Sequence, residues 1–335
     1  MSDLIKENWF IVVIAILILC SVVYFIQDTT KDNISAKQHD GKDVVATLKD
    51  ETITADDLYE ESTPFDAPLL YNMYKNGVIS ESVSTTDDLK DEAKSMQNTI
   101  DSNLKAQGGE NYQIAIDAEL ATYGFNGYEE LYDYCLVNVK QKVMNKEYIT
   151  EHFDEYKKPV MDLNPRTISF IKVDAANGEE TKKMESIDKA LKKDSFAKTA
   201  SAFSEDVMTS QEKGFFGYVD STDTMQSTGL DTAVLESAMS LKKSETSDWI
   251  QVADANTGLT SFFKVHVDET DLSEIFKSKN KMVQDRTIGA FLQANPNLEM
   301  TVIENAAKKL DIKFKNKEAK KKIDAYMDLM QEEGK

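Results

Sequence analysis

An uncharged apolar run near the N-terminus constrains this chain more than any other feature. Residues 9–26, WFIVVIAILILCSVVYFI, contain no Asp, Glu, Lys or Arg. At ~1.5 Å per residue, the run would span about 27 Å as a helix, close to the ~30 Å hydrocarbon core of a bilayer. Aromatic residues at both of its ends suit the two membrane interfaces. The run therefore predicts a transmembrane anchor over 9–26, after a short cytoplasmic tail over 1–8.

The end of this run distinguishes an anchor from a cleaved signal. A secretory signal peptide has a shorter apolar core and small residues at its exit, whereas this run ends in Phe25 and Ile26. Residues 17–20 loosely resemble a lipobox, but Leu19 is bulky and the apolar run continues past the cysteine. We therefore favour an uncleaved anchor, and lipidation of Cys20 is the alternative.

The flanks of the run give little information on orientation. Lys6 precedes it and Lys31 follows it, so the positive-inside rule does not decide. A short tail before a long polar body is typical of a signal anchor with the body outside. We expect a single-pass protein of the cell membrane whose bulk is extracytoplasmic, joined to the anchor by a polar linker over 27–43.

The charge of the chain excludes one class of partner. Its 335 residues carry a formal net charge of −20. Binding of nucleic acid needs clustered Lys and Arg to neutralise phosphate, so nucleic acid is not expected as a partner. The sequence shows no Cys/His cluster with metal-site spacing, no phosphate-binding loop and no nucleophile elbow. We therefore expect neither a metal nor a cofactor.

Helical periodicity dominates most of the body. The clearest helix covers residues 128 to about 150, and its apolar stripe carries Cys135. We interpret this cysteine as a small buried hydrophobe rather than a nucleophile. The pattern returns near the C-terminus over 272–292, 300–310 and 317–330.

A strand pattern interrupts the helical texture in the middle of the chain. RTISFIKVD, residues 166–174, alternates like a strand and follows the break signal Asn164-Pro165. The next segments read as a helix over 180–204, a Gly-containing strand or turn over 214–221, a short helix over 235–239, and strands over 249–252 and 259–267. This order predicts a small α+β domain over 161–270.

Two short strand patterns lie inside the helical regions, at 44–48 and 312–314. An isolated strand leaves its backbone groups unpaired, so we expect these two to pair with each other. Such pairing would join 44–160 and 271–335 into one helical domain, with the α+β domain inserted between its two parts.

Several segments resemble the membrane-tethered foldases of the PrsA, SurA and PpiC type. VVATLKDETITADDLYE looks like their first strand and the Thr-capped helix that follows it. FAKTASAFSED resembles the end of the first helix in their parvulin-like peptidyl-prolyl isomerase domain. Later motifs of that domain are similar to KGFFGYV, VLESAMSLKKSETSDWI and SFFKV. The resemblance implies a helical chaperone domain, built from both ends of the ectodomain, around an inserted parvulin-like α+β domain.

The resemblance also implies a substrate site. In active parvulins two strand histidines form a hydrogen-bonded pair beneath the substrate proline, and Thr167 and Ser261 occupy the corresponding positions. The acidic position that faces the proline corresponds to Asp206. The proline pocket corresponds to four apolar residues, Phe216, Val219, Leu230 and Val234, with Met225 as the alternative to Leu230.

Each catalytic candidate also has a structural interpretation. Thr167 and Ser261 could be plain strand hydroxyls, or a hydroxyl pair that joins the sheet, and Asp206 could be a helix cap. His266 lies an odd number of residues past Ser261, so we expect it on the opposite face of the strand. Prolyl isomerisation breaks no bond, and loss of both histidines therefore weakens turnover without forbidding it.

These observations predict an extracytoplasmic, membrane-tethered foldase or chaperone for unfolded or newly exported polypeptides, with a parvulin-like domain that is weak or inactive in catalysis. Burial of apolar client surface drives such binding and needs no fixed catalytic residue. The first alternative is an active peptidyl-prolyl cis-trans isomerase with an altered site. A second is a structural surface protein that binds one folded partner. The sequence leaves open whether the chain is a monomer or a homodimer.

Overall fold

The computed structural model describes residues 38–39, 42–48, 51–108, 112–175, 178–253, 258–310 and 312–333. The predicted cytoplasmic tail, the anchor over 9–26, Cys20 and most of the linker lie outside these residues. In the part of the chain that the structure describes, every helix is too short or too polar to span a bilayer. The chain forms two compact units, Met1–Asp66 and Ala67–Lys335.

The first unit contains a three-stranded antiparallel sheet. Its strands are β1 Gln38–His39, β2 Lys42–Leu48 and β3 Glu51–Thr54, in spatial order β1-β2-β3, and helix α1 Ala55–Ser82 begins directly after β3. The prediction that 44–48 pairs with 312–314 is wrong, because β2 pairs with β1 and β3 and residues 312–316 form no strand. Loop closure explains the difference, since a strand a few residues away loses less chain entropy on pairing than a distant one.

The second unit is helical on both sides of one small sheet. Before the sheet lie α2 Asp87–Gly108, α3 Tyr112–Thr122, a 3₁₀ turn Tyr128–Glu130, α4 Leu131–Glu151 and α5 Phe153–Asp162. The sheet region contains β4 Arg166–Asp174, α6 Glu180–Leu191, α7 Phe196–Phe203, α8 Val207–Gln211, β5 Phe215–Val219, α9 Met225–Thr228, α10 Thr232–Ser240, β6 Ile250–Ala253 and β7 Thr260–Glu269. After it lie α11 Leu272–Phe276, α12 Lys281–Ala294, α13 Leu298–Lys309 and α14 Lys317–Glu333.

Capping side chains divide two segments that the periodicity predicted as single helices. Ser195 accepts a hydrogen bond from the backbone N–H of Lys198 and starts α7, so the segment 180–204 is two helices. Asn280 accepts from Met282 and Val283 and starts α12, which divides the segment 272–292. These caps satisfy N–H groups that an uninterrupted helix would have bonded within itself.

Helices from both sides of the sheet share one hydrophobic core. Val78, Ile79 and Ile149 pack in the same cluster as Phe291 and Ile303, and all five are almost completely buried. A second cluster joins α2, α3 and α4 around Cys135, which has no exposed surface. Burial raises the pKa of the Cys135 thiol to about 11, so the interpretation of this residue as a buried hydrophobe is confirmed.

The sheet of the second unit is antiparallel throughout, in the order β5-β4-β7-β6. One face is covered by α10, whose Val234 and Ala238 pack on Ile168 and Val265. Helices α6 and α7 cover part of the other face through a smaller cluster that includes Ile171. The prediction of an α+β fold with a small sheet is confirmed, while the domain boundaries at 160 and 270 stay predictions.

Strand β5 also reaches the core of the helices. Tyr218 is 4% exposed and belongs to the cluster of Phe291, and Phe215 packs against the same cluster. From α12, the Arg286 guanidinium lies 5.8 Å from the Tyr218 ring centroid and pairs with Asp223 at 2.5 Å. The sheet and the helices are therefore joined by buried apolar contacts as well as by the covalent chain.

Candidate functional site

The structure brings the four predicted pocket residues together. Phe216 and Val219 from β5, Leu230, and Val234 from α10 lie in one cluster on the α10-covered face of the sheet. Val219 and Val234 are fully buried, Leu230 is 5% exposed, and Phe216 is half-buried. These side chains fill the space between sheet and helix themselves. A proline ring could contact most of them only after the cluster repacks.

Thr167 on β4 and Ser261 on β7, by contrast, lie at opposite ends of this strand pair. Thr167 is opposite Tyr218 and Glu269, whereas Ser261 is opposite Asp174. The seven steps along β4 from residue 167 to residue 174 correspond to roughly 23 Å of strand. The two hydroxyls therefore form no pair. The Ser261 hydroxyl instead donates to Asp174 Oδ1 at 2.6 Å.

Three phenylalanine rings, those of Phe170, Phe216 and Phe263, form an aromatic cluster on the α10-covered face of the sheet. The Phe170 and Phe263 ring centroids are 5.6 Å apart at 64°, and Phe216 lies 5.8 Å from Phe170. Both contacts are within the usual range for aromatic pairs. Strand alternation offered a signal for this cluster, because Phe170 shares its face with Ile168 and Phe263 shares its face with Val265. None of these rings can exchange a proton with a substrate.

Asp206 serves as the N-cap of α8. Its Oδ1 accepts hydrogen bonds from both the backbone N–H and the hydroxyl of Thr209, each at 2.8 Å. The capping interpretation is thus realised in the structure. Two apolar neighbours on α8 are nevertheless open to solvent, with Val207 71% and Met208 83% exposed. A ligand could reach the helix end that Asp206 caps.

His266 faces away from the aromatic cluster, as its odd offset predicted. Its ring stacks on Phe196 at 4.8 Å between centroids, and Nδ1 lies 2.8 Å from the Thr246 hydroxyl. Burial lowers the pKa of His266. The imidazole therefore lies on the α7 side of the sheet, where none of the predicted pocket residues is found.

The same face carries a carboxyl group with a perturbed pKa. Ser169 donates a hydrogen bond to Asp268 Oδ2 at 2.9 Å. Burial raises the pKa of Asp268 to about 6, and the hydrogen bond from Ser169 offsets only part of this effect. In the described residues, no group of three or more His, Cys, Asp and Glu side chains is arranged to hold a metal ion.

Asp268→Asn is expected to raise the free energy of unfolding at pH 7 by about 2 kcal/mol. The carboxyl group ionises near pH 4 in the unfolded chain but near pH 6 in the folded protein. Its contribution to stability therefore falls as the pH rises through this window. Urea unfolding of the variant and the parent should show a difference that is small below pH 4 and complete above pH 6.

Asp174→Asn is the matched control on the same strand pair. Burial acts to raise the pKa of Asp174, but hydrogen bonds from Ser261 and Lys172 outweigh it and leave the pKa lowered. Removing this charge should therefore destabilise the protein at pH 7, the opposite sign. A pH-independent difference for Asp268→Asn would show that its ionisation is not the cause.

The known proteins similar to this chain include PrsA proteins. No protein-family model matches the chain. The foldase protein PrsA of Streptococcus agalactiae is 26% identical over 292 residues, which cover 84% of this chain and 86% of that protein. The resemblance to the PrsA-type foldases is confirmed. It extends over the helices as well as the sheet.

Solved structures of PrsA proteins also align with the chain. The foldase protein PrsA of Streptococcus pneumoniae is 21% identical and covers 83% of this chain and 97% of its own, with a TM-score of 0.40. The PrsA peptidyl-prolyl isomerase of Bacillus cereus is 16% identical and covers 85% and 98%, with a TM-score of 0.31. Because both TM-scores are low, the resemblance rests on the sequence match to the S. agalactiae protein.

Proposed function

We propose that this chain is a foldase-type chaperone that binds unfolded, newly exported polypeptides. Residues 9–26 would tether it in the cell membrane, with the bulk of the chain outside. The helices over 44–160 and 271–335 would form the chaperone domain, and the parvulin-like domain over 161–270 would be weak or inactive as an isomerase. The 26% identity to a PrsA foldase over 84% of the chain carries the proposal.

The packing of the sheet supports weak catalysis. The predicted proline pocket is occupied by its own side chains, and Phe170 and Phe263 bring no hydrogen-bonding group to it. Catalysis of amide rotation needs a pocket that holds the proline ring and stabilises the twisted amide. In this conformation the closed apolar cluster neither holds a proline ring nor contacts a twisted amide.

Exposed methionines support the binding of varied clients. Their flexible, polarisable side chains adapt to differently shaped apolar partners, which suits a promiscuous surface. The exposed methionines among the described residues are Met73, Met161, Met208, Met225, Met282 and Met330.

Two assays on the full chain in detergent test the proposal. The chain is expected to suppress aggregation of a chemically unfolded client and to leave the isomerisation of a proline peptide at its background rate. Acceleration that disappears in both Asp206→Ala and Leu230→Ala would instead establish the alternative, an active isomerase with an altered site. Asp271→Ala is the matched control, because it removes a similar N-cap from α11. Binding to one folded partner, without preference for unfolded chains, would contradict both and identify a structural surface protein.

A further inference from the structure

A small crevice lies between the end of α1, α4 and α13. Its volume is about 210 Å³. Its lining is apolar at the base, where Met144, Val302 and Ala306 belong to the buried core of the helices. Val83 and Leu310 add apolar contact area nearer the solvent. The base can therefore accept an apolar group without separating polar atoms from their partners.

Three exposed glutamates also line this crevice, Glu81, Glu147 and Glu151. Among the described residues, none of the three forms a salt bridge, and the sole basic side chain in the lining is Lys309. Lys309 can offset the charge of only one of the three glutamates, so the lining keeps a net negative charge. The crevice thus combines an apolar base with unpaired negative charge.

A second crevice, between α4, α5 and α11, differs in this respect. It has a volume of about 410 Å³ and is lined by Phe153 and Phe276, with two lysines. Lys146 Nζ donates to Gln284 Oε1 at 2.9 Å, and Lys277 pairs with Glu274 at 3.3 Å. Both of its charged groups already have partners. Of these two crevices, the first, which is lined by the three glutamates, offers a ligand charged groups without a salt-bridge partner in the described part of the chain.

The size of the first crevice limits what can enter. Sites for small-molecule ligands have volumes of ~300–1,000 Å³, so about 210 Å³ fits a single apolar side chain better than a cofactor. The glutamates would meet groups that lie beside that side chain in the ligand. Complementary charge at such a position speeds association and selects among partners.

We propose that this crevice binds an apolar side chain of an extended polypeptide that is flanked by lysine or arginine. The inference rests on the proposed chaperone function and names the class of client segment it selects. The apolar base supplies burial, and the carboxylates supply the preference for cationic neighbours. Salt should weaken this preference, because the glutamates are exposed.

A pair of labelled peptides tests this inference on the full chain in detergent. Both carry the same central leucines, and these are flanked by lysines in one peptide and by glutamates in the other. Fluorescence anisotropy at low salt should show about tenfold tighter binding of the lysine-flanked peptide, with the difference shrinking at high salt. The double variant Glu147→Gln/Glu151→Gln should lose most of that difference.

Two further variants complete the test. Glu185→Gln/Glu236→Gln removes two exposed glutamates on α6 and α10 that form no salt bridge among the described residues, and it should leave binding unchanged. Asn305→Lys places a cation in the crevice lining and should weaken binding of the lysine-flanked peptide most.

Equal binding of both peptides, or no effect of Glu147→Gln/Glu151→Gln, overturns the inference. If the chain still suppresses client aggregation in that case, the chaperone function stands and only this crevice is excluded as its site. If suppression is absent too, the proposed function fails with it. Dissociation of a dimer by Asn305→Lys without peptide would assign the crevice to a second copy of the chain, which also overturns the inference.

Discussion

Gly214→Ala is expected to lower the free energy of unfolding by about 3 kcal/mol. Gly214 has φ +85°, and a Cβ there would lie 2.6 Å from the Ala200 Cβ and 3.0 Å from the Phe170 carbonyl oxygen. Neither neighbour is the end of a flexible side chain, since one is a methyl group of α7 and the other is backbone of β4. The Gly214 carbonyl also accepts a hydrogen bond from Phe170 N–H at 2.8 Å, which holds the backbone at Gly214 close to β4. The substitution therefore combines an unfavourable backbone conformation with a steric clash.

Gly229→Ala separates these two effects. Gly229 has a similar φ of +75°, but no heavy atom lies within 4 Å of its Cβ position. It should lose only about 1 kcal/mol, the cost of the left-handed conformation for alanine. Urea unfolding followed by Trp249 fluorescence measures both variants in a Trp9→Phe background, because Trp249 packs in the same cluster as Ala200.

A second substitution tests whether the clash has been located correctly. Ala200→Gly removes the methyl group that the new Cβ would meet, so Gly214→Ala/Ala200→Gly should regain part of the lost stability. Equal losses for Gly214→Ala and Gly229→Ala would show that the close contact has no energetic effect.

Arg166→Leu is expected to lose about 3 kcal/mol of unfolding free energy. Arg166 is 3% exposed, and its guanidinium donates to the carbonyl oxygens of Ala238 and Leu241 and to the Asn164 side chain. The first two carbonyls lie at the C-terminus of α10, where backbone acceptors lack partners within the helix and a positive charge is favourable. Leucine would leave these buried acceptors without a donor.

Arg166→Lys should recover little of this loss. A lysine ammonium is a point donor and cannot reproduce a planar fork that contacts two carbonyls and a side chain together. The matched control is Arg286→Leu, because Arg286 is the other arginine of the sequence and its side chain is 45% exposed. The side chain of its partner Asp223 is 3% exposed, but this carboxylate keeps hydrogen bonds from the Asp220 N–H and the Ser227 hydroxyl, so the loss should be about 2 kcal/mol or less. Thermal unfolding ranks the three variants, and full rescue by lysine would contradict the proposed geometry.

Local signals in the sequence predicted the elements well. Asn164-Pro165 and the alternation after it located β4, and the apolar stripe around Cys135 located α4. Helix ends set by single capping residues were missed, since Ser195 and Asn280 interrupt periodicity that is otherwise continuous. Periodicity averages over many residues, whereas a cap is one hydrogen bond.

Strand register could not be read in the same way. The β4–β7 pairing places Ser261 opposite Asp174. Its register shifts by one residue between Thr167 and Ile168, at the other end of β4. A register shift of one residue exchanges the faces of a strand, so motif spacing alone does not decide which side chains meet. The spacing therefore did not reveal that Thr167 and Ser261 lie at opposite ends of the β4–β7 pair, with the contact between Phe170 and Phe263 in its middle.

The burial of Tyr218 in the core of the helices affects how the sheet region can be studied in isolation. A fragment over 165–268 would keep its strands but lose α12, and it would expose the rings of Tyr218 and Phe215 to water. New apolar surface of this kind promotes self-association. Such a fragment could therefore bind unfolded clients through a surface that is covered in the intact protein. Truncation experiments on this chain would then report the cut surface rather than a native one.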